Sequence, residues 1–333
     1  MQKDIQGLDY NTIQIVCCTD HNYVMPCGVM LKSLFVNNDK LHIHIHLIVD
    51  NTVDEHDKDS IKRIVTFEHN GELTIYNADE IQFQDYPELG SHTHISKAAY
   101  YRLFMTKFLP ATLDKVIYLD DDLIVLKSIK ALWDYDIQDY PIAAVIDPET
   151  DDIRHYNRME YASEDRIINS GMMIINLRYW RENELPTKFL ELISNYPQRI
   201  KFHDQDILNC VLHGRILILP INYNVQSAFF YRPNLVLYDI KRYKSQVDAA
   251  KKEPVILHFS SKAKPWHEDC FHPLRSEFVK YQDMTEWKGD IYELKPQRIT
   301  LRNIVGAILR YLGIRKTPKF YMSKNVFEHE SAV

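Results

Sequence analysis

"KVIYLDDDLIVL", residues 115–126, sets three consecutive carboxylates inside what otherwise reads as a buried β-strand. Asp is depleted in strands and is almost never buried without a partner. Side chains alternate along a strand, so Asp120 and Asp122 share one face and Asp121 takes the other. Two carboxylates on one face repel each other unless a cation lies between them. The plainer alternative ends the strand at Leu119 and leaves the acids in a solvated turn. Apolar "LIVL" resumes at once, however, so the acids stand at a break between two buried segments, which favours a bound ion.

Oxygen ligands from Asp120 and Asp122 select a hard divalent cation, and an added imidazole favours Mn²⁺ over Mg²⁺. His258, closing the apolar run "VILH", is the best candidate for that imidazole. In the loop that follows, "FSSKAKPWH", Lys264 offers a positive charge for a phosphate and Trp266 a packing anchor.

Outward from this strand, the pattern is that of alternating strands and helices. "IQIVCC" reads as a first buried strand, followed by a polar turn and an apolar-periodic helix over 24–36. "HIHIHLIVD", a helical segment over 54–68 and the strand "ELTIYNA" continue the alternation, which predicts βαβ units and a largely parallel sheet. Ligands of such sheets lie beyond the carboxyl ends of the strands. "KAAYYRLFMTKFL" reads as the helix leading into the aspartate strand; "IAAVID", "INSGMMIINL", "ILILPIN" and "VILHFS" supply further sheet. "RYWRENELPTKFLELISNY" and "DQDILNCVLHG" read as helices.

The chain of 333 residues is 45% hydrophobic and has only nine glycines, ample material for a large core. A net charge of −6 argues against nucleic acid as the main partner. The five cysteines have no CxxC spacing, as expected for reduced thiols in a cytosolic setting. The start, "MQKDIQGLDYNTIQ", is too polar for a signal peptide, and no apolar run approaches the ~20 residues that span a bilayer. A cytoplasmic chain is expected, divided into a catalytic domain over 1–290 and a tail over 291–333.

That tail is cationic: from Lys295 to Lys324 there are eight basic residues and no acidic one. Leu301, Ile304, Val305, Ile308, Leu309 and Leu312 recur at helical spacing, with Arg302 and Arg310 elsewhere on the wheel. Such a helix suits the anionic inner face of the cytoplasmic membrane as a peripheral anchor. Packing on its own domain or on a partner subunit is the plainer alternative.

The ordered blocks "CCTDHNY", "HISKAAYYRL", "VIYLDDDLIV", "INSGMMIINLRYWR", "HDQDILN" and "LHFSSKAKPWH" together resemble the retaining glycosyltransferases of family 8, which include transferases of lipopolysaccharide synthesis. The resemblance covers roughly residues 13–287. It implies a GT-A fold, that is, a Rossmann-like α/β domain binding a UDP-hexose (galactose or glucose) and Mn²⁺, with Mg²⁺ as second choice. By position it makes Asp120, Asp122 and His258 the metal ligands. Thr19, Asp20, Asn22 and Tyr23 fall where the family contacts uracil and ribose, with Asp121 close to the ribose. Arg102 matches a residue near the donor sugar and diphosphate, and Lys264 the phosphate-binding lysine. Asp147, Asn169, Asp204 and Gln205 match the surroundings of the transferred hexose, with Gln205 on the nucleophile side, and His94 an acceptor-facing loop. The match departs at Ser261, where glycine is the pattern, and at Lys97, Ala98 and Ala99, so the identity of the glycan or lipid-linked acceptor does not carry over.

A sugar nucleotidyltransferase also uses carboxylate-bound metal on an α/β sheet, but a Gly-rich basic loop near the N-terminus is missing. A non-catalytic glycan- or membrane-binding protein of the same fold is the alternative from another class. His42, His44 and His46 share a strand face and read as a half-exposed strand rather than a metal comb. His267, Cys270 and His272 read as a structural loop.

Overall fold

The computed structural model describes residues 12–69, 71–80, 98–147, 150, 153–162, 164–231, 240–268, 270 and 272–291. His94 and the tail from residue 292 onward lie outside them. Ten strands are formed: β1 (Ile13–Thr19), β2 (Ile43–Val49), β3 (Glu72–Asn77), β4 (Lys115–Leu119), β5 (Leu123–Val125), β6 (Ile142–Ile146), β7 (Ile168–Asn176), β8 (Ile216–Ile218), β9 (Val225–Gln226) and β10 (Ile256–His258). Seven make one sheet in the order β3-β2-β1-β4-β7-β6-β8, and the other three a small sheet β5-β10-β9. In the large sheet β7 alone runs against its neighbours β4 and β6, which makes it mostly parallel, as expected.

Alternation along β1 explains the layering. Ile13, Ile15 and Cys17 enter one apolar core, Val16 and Cys18 the other, so both faces of the sheet are covered by helices and loops. The first helix, α1 (Val24–Val36), is buried on nearly every face. A helix apolar all round belongs in an interior, and α1 fills the space between the large sheet, β5 and the helix Arg275–Gln282. Gly28 permits that approach, because a Cβ there would stand 2.2 Å from Trp287 Cζ3.

The central stretch is where the two sheets meet. β4 ends at Leu119, Asp120–Asp122 cross a short turn, and β5 then joins the small sheet antiparallel to β10. The strand therefore does end where the plainer reading placed its end, yet the turn is buried by the second sheet. Asp120 stays fastened to the large sheet through its N–H, which donates to Gly171 O at 2.8 Å. β7 starts at the edge where β4 stops, so the carboxyl ends of β1, β4 and β6 and the start of β7 share one rim.

Two expectations shift in detail. "RYWRENELPTKFLELISNY" forms two helices, Leu177–Glu182 and Leu185–Asn195, parted at Glu184, whose φ of 50° is left-handed, two residues before Pro186. The histidine strand is less exposed than its alternation suggests. His46 is buried, its Nε2 donating to Gln14 Oε1 at 2.8 Å and its Nδ1 accepting from the Tyr76 hydroxyl at 2.9 Å, and burial lowers its pKa to about 3. His272 is likewise a core side chain, packed between Phe230 and Phe259.

Candidate active site

Each of the three aspartates meets its charge in a different way. Asp120 is paired with Arg102, whose Nη1 lies 2.8 Å from Asp120 Oδ1, and Tyr118 donates its hydroxyl to the same oxygen at 2.8 Å. Burial pushes the Asp120 carboxyl up, and the Arg102 guanidinium opposes that rise. Asp121 points to the other side, towards Thr19 and Cys27, as strand alternation predicts. Burial raises its pKa well above the usual carboxylate range against the opposing Thr19 hydrogen bond, which favours the neutral acid. Burial alone would raise Asp122 too, but Lys264 above all holds it well below that range. Lys264 Nζ is 2.6 Å from Asp122 Oδ2 and His258 Nε2 is 3.2 Å from Asp122 Oδ1.

Two separate elements bring the three candidate ligands together. Asp120 and Asp122 come from the turn after β4, and His258 from the last position of β10, opposite Leu123. One ligand atom from each lies within 4.8 Å of the others. Gly171 makes room for this. A Cβ at that position would stand 2.4 Å from His258 Cε1 and 2.9 Å from Asp120 Oδ2, so any other residue would intrude between imidazole and carboxylate. Two carboxylates and an imidazole at this spacing could hold a metal ion.

On the β6–β7 side, a second set of polar side chains is buried beside the first. Gln205 and Asp204 open the helix His203–Leu212, Asn169 begins β7 and Asp147 follows β6. Gln205 Nε2 donates to Asp147 Oδ2 at 2.6 Å, and its Oε1 accepts from Asn169 Nδ2 at 3.2 Å. Arg102 links the two sets: Nη1 is 3.3 Å from Asp204 Oδ2 and 3.3 Å from Ser170 O. Its guanidinium also lies over the Tyr118 ring at 4.4 Å. The Arg102–Asp204 approach lacks hydrogen-bond geometry, so Asp204 Oδ2 is a buried polar atom without a hydrogen-bond partner, as are, independently, Arg102 Nε and Asp121 Oδ1. Such atoms are costly to leave unpaired.

Residues after β1 form the third part. Thr19 is buried at the strand end, and Asp20 Oδ1 caps the turn His21–Tyr23 by accepting the Asn22 N–H at 2.9 Å. Asn22 is exposed on that turn. Tyr23 meets Trp266 edge-on with ring centroids 5.8 Å apart, which fastens the β1 turn to the Lys264 loop. Ser261 is half-buried in the same loop. Thus all expected residues except His94 fall along one rim of the fold. The sequence reading missed Gly171, Tyr118 and Asn224. Gly171 stood within a quoted block, where its clearance role was hidden because only the fold brings His258 opposite it.

Comparison with known proteins gives the family and the fold. The sequence model described as Glycosyl transferase family 8 matches residues 14–270, and the chain belongs to that family. General stress protein A of Bacillus subtilis is 29% identical over 281 residues, covering 83% of this chain and 94% of that protein. Lipopolysaccharide 1,2-glucosyltransferase of Escherichia coli K12 is 26% identical over 279 residues, covering 81% of this chain and 78% of that protein. Among solved structures, the galactosyltransferase LgtC in complex with donor and acceptor sugar analogues superposes with a TM-score of 0.68 at 24% identity, covering 82% of this chain and 96% of that one. The fold is thus GT-A, as the resemblance implied, and family membership favours a glycosyltransferase over a sugar nucleotidyltransferase. No described helix is long and apolar enough to cross a membrane.

Proposed function

We propose that this chain is a retaining, metal-dependent hexosyltransferase that moves galactose or glucose from a UDP-sugar to a glycan acceptor, in the assembly of lipopolysaccharide or another bacterial surface polysaccharide. The observation that carries this reading is the convergence of Asp120, Asp122 and His258 within 4.8 Å, flanked by Lys264 and Arg102. The acceptor class is taken from lipopolysaccharide-modifying relatives and from the resemblance.

The donor set fits a divalent cation: two carboxylate oxygens, one imidazole nitrogen and a glycine that leaves the space between them clear. When bound, the cation supplies positive charge beside the diphosphate that departs from the sugar. The remaining work belongs to the chain itself. Lys264 contributes a second preorganised positive charge on the phosphate side. Thr19, Asp20, Asn22, Tyr23 and the buried acid of Asp121 line the nucleoside side, where Asp121 Oδ1 is left to pair with a hydroxyl. Asp147, Asn169 and Asp204 orient the hexose hydroxyls, and Arg102 holds the hexose side at a fixed distance from Asp120.

Gln205 is engaged at both ends of its amide, with Oε1 accepting from Asn169 Nδ2 and from the Ser170 N–H at 3.4 Å. An amide oxygen so occupied is a poor nucleophile. This supports attack from the leaving-group face, with the diphosphate taking the acceptor proton, over a covalent adduct on Gln205. A trapped glycosyl adduct on Gln205 or Asp204 would contradict that route.

The division at residue 290, His94 as an acceptor contact and the tail as an anchor on an anionic membrane surface rest on the sequence alone. Cosedimentation of the full chain with phosphatidylglycerol vesicles, lost when Arg302 and Arg310 become Glu, tests the anchor. For the activity, the test is UDP release from UDP-galactose and UDP-glucose with Mn²⁺. Release by the wild type and not by Asp122→Ala supports the transferase and excludes the non-catalytic alternative; no release from any UDP-hexose would sink it.

A further inference from the structure

Asn224 stands just before β9, wholly buried, and joins the metal side of the site to its hexose side. The orientation of its amide follows from a donor that has no ambiguity. The Gly171 backbone N–H donates to Asn169 Oδ1 at 3.0 Å, so that oxygen is an acceptor. The Asn224 atom 2.8 Å from the same oxygen must therefore be the amide nitrogen. Its oxygen then faces His258 Nδ1 at 3.0 Å, and the ring nitrogen there must carry a proton to bond to it. In the neutral imidazole, the lone pair is left on Nε2, the nitrogen that faces Asp122 Oδ1 at 3.2 Å.

The other tautomer would defeat the site. With its proton on Nε2, His258 would donate to Asp122, and a histidine–aspartate hydrogen bond would occupy the ligand atoms of both residues. We propose that Asn224 is a positioning residue that locks His258 in its Nδ1–H tautomer and so presents the Nε2 lone pair to the divalent cation, a role that rests on the cation reading above. The same relay continues away from the metal side. Asn169 Nδ2 donates to Gln205 Oε1 and Gln205 Nε2 to Asp147 Oδ2, so one backbone N–H orients every amide from the imidazole to the hexose side. Outer partners that orient a metal-binding histidine in this way act through ligand geometry and basicity, without touching the ion.

Two measurements on the full-length chain test this. The first is the nitrogen-15 spectrum of metal-free protein labelled at histidine, with His258 assigned by its loss in His258→Gln. The wild type is expected to show protonated Nδ1, and Asn224→Leu, which removes the acceptor at similar volume, a shift of the proton to Nε2. The second is Mn²⁺ binding followed by electron paramagnetic resonance, in which Asn224→Leu is expected to raise the Kd about 10–100-fold. A neutral wild-type His258 that carries its one proton on Nε2, recorded at a pH where the ring holds a single proton, overturns the proposal, and that result needs no variant to fold. A variant with unchanged tautomer and unchanged Mn²⁺ affinity overturns it equally. Nδ1 protonation in a wild type that binds no Mn²⁺ supports the tautomer lock and overturns the cation reading instead.

Discussion

Two places among the described residues gather two acids and a histidine closely enough to hold an ion: Asp54, His56 and Asp57, and Asp120, Asp122 and His258. Their chemistry is the same on paper and their surroundings are opposite. The first group opens the helix Glu55–Lys62. Asp54 is its N-cap, accepting the Asp57 N–H at 2.9 Å, and Asp57 Oδ2 returns to the Asp54 N–H and to His21 Nδ1 at 2.7 Å. Its acids are thus engaged in closing a helix end, and Asp54 and His56 are exposed. In the second group the residues come from elements far apart in sequence, are largely buried, and border polar atoms that no protein group satisfies. Residue types alone do not make a site. Convergence from separate elements and unmet hydrogen-bonding capacity do.

The contrast can be broken by substitution. Asp122→Ala is expected to lower UDP release from a UDP-hexose by about 10³-fold, the scale of losing preorganised charge stabilisation, with Asp57→Ala leaving the rate unchanged. Equal losses in both variants would erase the distinction. Gly171→Ala is next: its methyl would collide with His258 and move the imidazole, for an expected loss of about 10²-fold in rate with the fold retained by circular dichroism. In the helix-end group, Asp54→Ala, which removes the N-cap acceptor, is expected to lower the urea midpoint without a change in rate.

The smallest effect is one of pH. The hydrogen bond that His21 Nδ1 donates to Asp57 raises the pKa of His21 above its ordinary value. A raised folded-state pKa stabilises fully below the unfolded value of about 6.5 and loses that contribution as pH rises through the folded value. The thermal midpoint of the wild type should therefore decline slightly above pH 6.5 relative to Asp57→Asn. Because His21 is largely exposed, a shift of several degrees would mean that this pair is more than a surface contact.

The same contrast marks how far the sequence could be read. The strands β1, β4, β6 and β7 were visible as apolar runs because burial on both faces leaves little choice of residue, and β2 by its alternation. Asp120–Asp122 stood out because carboxylates conflict with such a run, and His258 because it ends one. Which cation answers which aspartate was not legible. Arg102 with Asp120 and Lys264 with Asp122 depend on the register between a helix, a turn and a loop up to 142 residues apart. Asn224 carried no signal at all, since "INYNVQS" is an ordinary polar-apolar mixture until β9 sets it beside β10. The break at Glu184 was foreshadowed only by Pro186, which is tolerated in the first turn of a helix and not in its interior.

The central claim is that the ion belongs between Asp120, Asp122 and His258. Anomalous diffraction from crystals grown with Mn²⁺ and UDP tests it most directly. A single strong peak bounded by the two carboxylates and His258 Nε2 is the expected result. A peak only at Asp54, His56 and Asp57, or none in crystals where UDP is bound, would contradict it.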